Sequence, residues 1–115
     1  MAIKIRLNNP NEFIKEIKYQ IEIKNIKDWM FDLDGDFTLD DEKWKNRAWF
    51  RPYVFKEENI IIFSIIGRND VNLRIEEFSI YHSKFIEMLI FHFYSLFDKF
   101  ELLPIGNQFD PSEFD

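Results

Sequence analysis

Carboxylates are the side chains of this chain that gather densely enough to suggest chemistry. Asp32, Asp34 and Asp36 alternate through Phe31-Asp32-Leu33-Asp34-Gly35-Asp36-Phe37-Thr38-Leu39, and Asp40, Asp41 and Glu42 follow at once. Acids so spaced have three uses: nucleophile and acid–base pair on phosphorus, ligands of a hard divalent cation, or a negative surface for a basic partner. With Asp28 they make seven acids and no base between residues 28 and 42. Residues 43–56 answer with Lys43, Lys45, Arg47, Arg51 and Lys56 and no acid. Such a block repels itself, so it must be solvated or neutralised. Either the basic segment folds back beside it, or the block is a docking surface.

The nine residues around Asp32 resemble motif I of the haloacid-dehalogenase-type phosphohydrolases, in which an apolar strand ends in Asp-x-Asp-Gly-Thr. That resemblance implies Asp32 as nucleophile, Asp34 as general acid and Mg²⁺ as the bridge to phosphate. This chain departs from the motif where it has Asp36 in place of Thr, and Lys27 and Asp28 interrupt a strand that should be buried on both faces. The 79 residues after Asp36 read as hairpins instead of βαβ units. An EF-hand register with Gly35 sixth would put Met30 first and Asp41 last, a poor ligand set. The preferred reading is a turn whose short polar side chains bond their own backbone. The rest of the repertoire is thin. His92 reads as partly buried core and His82 as a hydrogen-bonding residue at a helix start, with no convergent ligands named for either. No Gly-rich phosphate loop and no Ser/His/Asp arrangement stands out. We expect no catalytic residue, no metal site and no cofactor.

The elements that must position these residues follow from periodicity. Ile3, Ile5 and Leu7 alternate with Lys4 and Arg6 as a half-buried strand. Pro10 opens a helix with Phe13, Ile14 and Ile17 on one face, running to about residue 20. Residues 26–33 read as a strand ending in the Asp34-Gly35-Asp36 turn, and residues 40–46 as a single helical turn capped by Asp40. Three strands follow, at 48–55, 60–66 and 73–81, joined by hairpin-length links at 56–59 and 67–72. Pro52 asks for an edge or bulge position. A helix from Ser83, as N-cap, to Phe100 presents a wide apolar face. This is α+β: a four- or five-stranded, largely antiparallel sheet with two main helices on one face. Residues 1–103 form a single domain, and residues 104–115 a loosely ordered tail.

Composition sets the class. The chain has 115 residues, 46% of them hydrophobic, a net charge of −6 and no cysteine. It folds, carries no disulfide and no thiol nucleophile, and has neither a signal-peptide core nor a membrane span. A cytoplasmic protein without membrane contact is expected. In size, acidity, absence of cysteine and α+β pattern the chain resembles the small immunity proteins that neutralise toxins in contact-dependent and polymorphic toxin systems. The resemblance implies a cytoplasmic, non-enzymatic inhibitor that plugs a toxin's active site, its carboxylates standing in for substrate phosphates. The partner-binding residues are then Asp32, Asp34, Asp36, Asp40, Asp41 and Glu42, with Trp44 as an aromatic anchor. Phe91 and Tyr94, on the polar side of the last helix, form a candidate second contact, to a partner or to a second copy in a homodimer. Acidity argues against nucleic acid, whose phosphates it repels. The partner expected is a basic protein. A small Mg²⁺-dependent phosphohydrolase using Asp32 and Asp34, and a homodimeric ligand-binding domain, are the alternatives.

Overall fold

The computed structural model describes residues 1–68 and 73–104. The alternating start of the chain forms β1 (Ala2–Arg6), with Ile3 and Ile5 buried on one face. Pro10 then opens α1 (Pro10–Glu22), because its fixed φ suits the first helical position and its missing N–H has no partner to lose there. Phe13, Ile14 and Ile17 recur at helical spacing and bury that helix's inner stripe. Next come β2 (Trp29–Phe31), β3 (Phe37–Leu39), β4 (Ala48–Phe55) and β5 (Ile60–Gly67). Then α2 (Ile75–Phe93) leads through a 3₁₀ turn (Tyr94–Leu96) into β6 (Lys99–Leu103).

The fold is α+β, with the strands ordered β2-β3-β4-β5-β1-β6 and every pairing antiparallel. The six strands exceed the four or five expected, through the short β3 and the terminal β6. The core lies between the sheet and its two helices. At its centre Phe85 of α2 stacks on Phe50 of β4 at 4.4 Å and meets Trp29 of β2 edge-on at 4.8 Å. Through Trp29, the short β2 is fastened to α2.

Five expectations are corrected. Residues 73–81, read as a strand, enter α2 at Ile75; Phe78, Tyr81, His82, Phe85, Leu89 and Phe93 are buried at three- and four-residue intervals. Ser83 is therefore no N-cap but a mid-helix residue, its hydroxyl donating to the Ser79 carbonyl at 2.7 Å. His82 likewise lies inside the helix, buried, with Nδ1 2.9 Å from the Phe78 carbonyl. The helix does not reach Phe100. It ends at Phe93, and Lys99–Leu103 instead pairs along the full length of β1, Phe100 opposite Ile5 and Leu102 opposite Ile3. The strand read at 26–33 is pared to Trp29–Phe31.

Other features stand as read. The β4–β5 hairpin turns through Lys56–Glu58 and Asn59, whose φ is 57°. Pro52 is an exception: β4 is an inner strand between β3 and β5, although Pro52 lies beyond Phe37↔Phe50, the registered pair of β3 with β4 among the described residues. No described helix is long and apolar enough to cross a membrane. The expected link at 67–72 from residue 69 on, and the tail beyond Pro104, lie outside the described residues.

Candidate functional site

The acidic block is built on the β2–β3 hairpin at one edge of the sheet. Trp29, Met30 and Phe31 pair with Leu39, Thr38 and Phe37, and residues 32–36 form the turn. Asp32 makes that turn. Its Oδ1 accepts the backbone N–H of Asp34 at 3.0 Å and of Asp36 at 2.9 Å, while its own N–H donates to the Asp36 carbonyl. A short carboxylate reaching two residues on is what lets Asp nucleate such turns. Gly35 has φ +83°, and a Cβ there would come within 3.1 Å of Lys18 Nζ, which approaches the turn from α1. The left-handed backbone thus calls for glycine.

Asp36 departs from the reading that made it a surface residue. It is buried, and Arg51 of β4 clamps it with two bonds, Nε to Oδ1 at 3.1 Å and Nη2 to Oδ2 at 2.8 Å. The bond to Asp36 holds the Arg51 guanidinium more firmly protonated than usual. Burial of this one acid is possible because the bidentate fork supplies its counter-charge. The basic segment does fold back here, and again where Lys45 lies 3.9 Å from Glu42. Arg47, however, goes elsewhere, pairing with the buried Glu77 of α2 at 2.6 Å.

The remaining acids stay at the surface. Asp32 and Asp34 are exposed at the turn. At the other end of the hairpin the Asp40 N–H donates to the Asp28 carbonyl at 2.8 Å, bringing two more exposed acids side by side. Asp41 starts one helical turn, its carbonyl accepting from Lys45 and its carboxylate from the Lys43 N–H at 2.9 Å. The cap of that turn is thus Asp41, not Asp40. None of Asp28, Asp32, Asp34, Asp40 and Asp41 lies within ion-pair distance of a described cation. Trp44 is half-buried against the core; its carbonyl accepts the Tyr81 hydroxyl and Lys43 Nζ lies 4.7 Å from its ring centre.

Sequence reasoning passed over Leu33. Its side chain is fully exposed at the tip of the turn, flanked by Asp32 and Asp34. The only signal was a leucine inside a turn with no periodic partner. Phe91 and Tyr94 are exposed as expected, at 78% and 70%. Phe91 borders a groove of about 350 Å³ with Lys84, Glu87 and Met88 of α2 on one side and Asn25 to Trp29 on the other.

Carboxylate oxygens of Asp32, Asp34 and Asp36 lie within 4.8 Å of one another, close enough for oxygen ligands of one hard cation. They do not fit the Mg²⁺ that the phosphohydrolase resemblance implies. Both oxygens of Asp36 are engaged by Arg51, and Oδ1 of Asp32 already accepts two backbone N–H groups of the turn. The hairpin is antiparallel throughout, whereas that motif sits on a parallel strand. No protein-family profile matches the chain, and no curated protein or solved structure matches it either.

Proposed function

We propose that this protein is a non-enzymatic protein-binding module, an immunity-type inhibitor that neutralises a basic toxin partner in the cytoplasm through the acidic β2–β3 hairpin. One observation carries the reading: five exposed carboxylates, Asp28, Asp32, Asp34, Asp40 and Asp41, crowd one short hairpin with no described cation paired to them. Exposed like charges so arranged weaken the isolated fold and are relieved by a partner of opposite sign, whose encounter they also accelerate. Glu42 extends the surface, and Leu33 adds an apolar point at its tip. Asp36 has no part in contact; it braces the hairpin from behind through Arg51. The same field repels nucleic acid.

The test uses the protein encoded by the neighbouring gene as the candidate toxin. Reversing Asp34 and Asp40 to Lys leaves the circular dichroism unchanged and slows association by about tenfold or more at low salt. An unchanged association rate sinks the acidic surface. Hydrolysis of p-nitrophenyl phosphate that requires Mg²⁺ and disappears in Asp32→Asn overturns the non-enzymatic reading altogether.

A further inference from the structure

A sheet ends in two edges, and the backbone groups along an edge strand are left to find partners of their own. β2 closes one edge with three residues set between the exposed acids Asp28 and Asp32, a short and charged stretch that discourages pairing. β6 closes the other with five, and among the described residues no strand lies on its outer side. Along it Lys99-Phe100-Glu101-Leu102 alternates charged with apolar side chains. Leu102 is 49% exposed, although it lies opposite Ile3 on the face that the helices cover.

Hydrogen bonding fixes which groups of β6 point outward. Leu7 donates its N–H to the Asn59 carbonyl at 3.0 Å, one step beyond the Arg6↔Ile60 pair, so Leu7, Ile5 and Ile3 turn their backbone groups to β5. Ala2, Lys4 and Arg6 turn theirs to β6, and the Arg6 carbonyl accepts the Asp98 N–H at 2.8 Å. Across the register Lys99, Glu101 and Leu103 therefore bond to β1, which leaves the N–H and C=O of Phe100 and Leu102 facing out. No described group bonds them there.

A second copy, turned by a two-fold axis normal to the sheet, presents the same edge antiparallel. Because outward groups alternate, few registers are open to it. One opposes Lys99 to Lys99 and another Glu101 to Glu101, like charges that work against pairing. A third brings Phe100 opposite Pro104, which has no N–H to give. The register centred on Phe100 meets none of these obstacles. Phe100 exchanges both backbone bonds with its own copy, and Lys99 stands opposite Glu101 on either side of the axis, in the pairs where side chains are closest. Leu102 comes diagonally beside the Phe100 ring of the second copy.

We propose that the protein dimerises with a second copy of itself through β6, the two edges pairing antiparallel about Phe100 and the two sheets joining into one. The Lys99–Glu101 ion pair then forms twice across the axis. Within one chain Glu101 draws Lys99 to 3.7 Å and Lys4 to 3.8 Å, so the carboxylate keeps Lys4 when Lys99 reaches across. Because β2 lies at the far edge, both acidic hairpins stay open at the ends of the joined sheet. Dimerisation thus stands apart from the inhibitor reading and is tested without any toxin.

The pairing is short, so its population follows concentration. We expect sedimentation of the full-length protein to move from the mass of one chain toward twice that mass as concentration rises. A mixture of isotope-enriched and unlabelled chains shows intermolecular contacts between the α-protons of Lys99 and Glu101. Lys99→Glu and Glu101→Lys, each with unchanged circular dichroism, hold the protein at a single chain, and combining the two restores the dimer. A single-chain mass for the wild type up to its solubility limit overturns the proposal. So does a dimer whose intermolecular contacts fall on Phe91 and Tyr94, one that both single reversals leave intact, or a combined variant that stays a single chain. If Glu101→Lys unfolds the protein, Lys99→Glu alone, at an exposed position, decides between dimer and monomer.

Discussion

At the scale of single residues, two buried acids carry opposite messages about the acidic block. Asp36 shares its spacing and neighbours with Asp32 and Asp34, so nothing local distinguishes it; its burial is decided by Arg51, fifteen positions on and one strand across. That is why the sequence reading grouped it with the surface acids. Asp36→Ala strips Arg51 of its fork and lowers stability by about 1.5–3 kcal/mol. Asp34→Ala, at an exposed position, stays within about 0.5 kcal/mol. Urea unfolding of the two variants separates the brace from the surface, and equal losses refute the division. Glu77 is the second buried acid. Hydrogen bonding from Arg47 is the foremost cause that holds its carboxyl below the usual carboxylate range, with burial opposing and Arg74 assisting. The unfolded chain binds that proton near pH 4.3, the folded one only at lower pH. Stability from this group is therefore complete above about pH 4.3 and is lost as the pH falls toward the folded value. Glu77→Gln costs stability at neutral pH but flattens the acid limb of the stability curve below that point. Parallel acid limbs for wild type and variant assign the loss to other carboxylates.

At the scale of elements, what was legible followed from local pattern, and what was not followed from pairing across the fold. β1, α1, β4 and β5 were readable because each carries its own period or its own turn: Ile3 and Ile5 alternate, Pro10 opens a helix, and the 56–59 link closes a hairpin. Residues 73–81 misled because Leu73, Ile75, Phe78 and Ile80 mimic alternation broken once, whereas Phe78, Tyr81, His82 and Phe85 continue the same helical stripe as Leu89 and Phe93. β6 was absorbed into the helix because Phe97 and Phe100 are three apart. Its strand state comes from β1, nearly a hundred residues upstream, whose outer edge offers five registered partners. The 41–47 turn is a third case, since an α2 residue fixes it. The Tyr81 hydroxyl lies 3.0 Å from Thr38 Oγ1 and donates to the Trp44 carbonyl, and Thr38 in turn accepts the Asn46 N–H at 3.1 Å. Tyr81→Phe keeps the ring packed and removes the pin. We expect a loss of about 1–2 kcal/mol, with faster hydrogen exchange at Lys45 and Asn46 and no change at Phe63 in β5. Unaltered exchange at Lys45 and Asn46 means that the turn holds without Tyr81.

At the scale of the whole molecule, the sheet order separates two charged regions that the net charge of −6 conceals. The acidic hairpin ends one edge at β2, and Lys99 stands on β6 at the other, with Lys4 and Arg6 on the strand beside it. Five strand spacings, roughly 24 Å, lie between the edges. That exceeds the Debye length of about 8 Å at physiological ionic strength, so the two regions do not neutralise each other in solution. Each acts on its own neighbourhood, and the hairpin keeps its negative field although cations exist elsewhere on the chain. A probe of opposite charge should therefore choose between them. Titrating decalysine at low salt, we expect the amide resonances of Asp32, Leu33, Asp34, Asp40 and Asp41 to move first and furthest, with those of Lys4 and Ile62 unmoved. At 1 M salt, where screening acts within about 3 Å, the shifts vanish. Asp34→Lys with Asp40→Lys removes them at any salt, whereas reversing Glu57 and Glu58, exposed at the β4–β5 turn, does not. If decalysine moves Glu57 and Glu58 as strongly as Asp32 and Asp40, the peptide is reading the average charge of the protein. The hairpin is then not a distinct surface, and the inhibitor reading loses the feature that steers its partner.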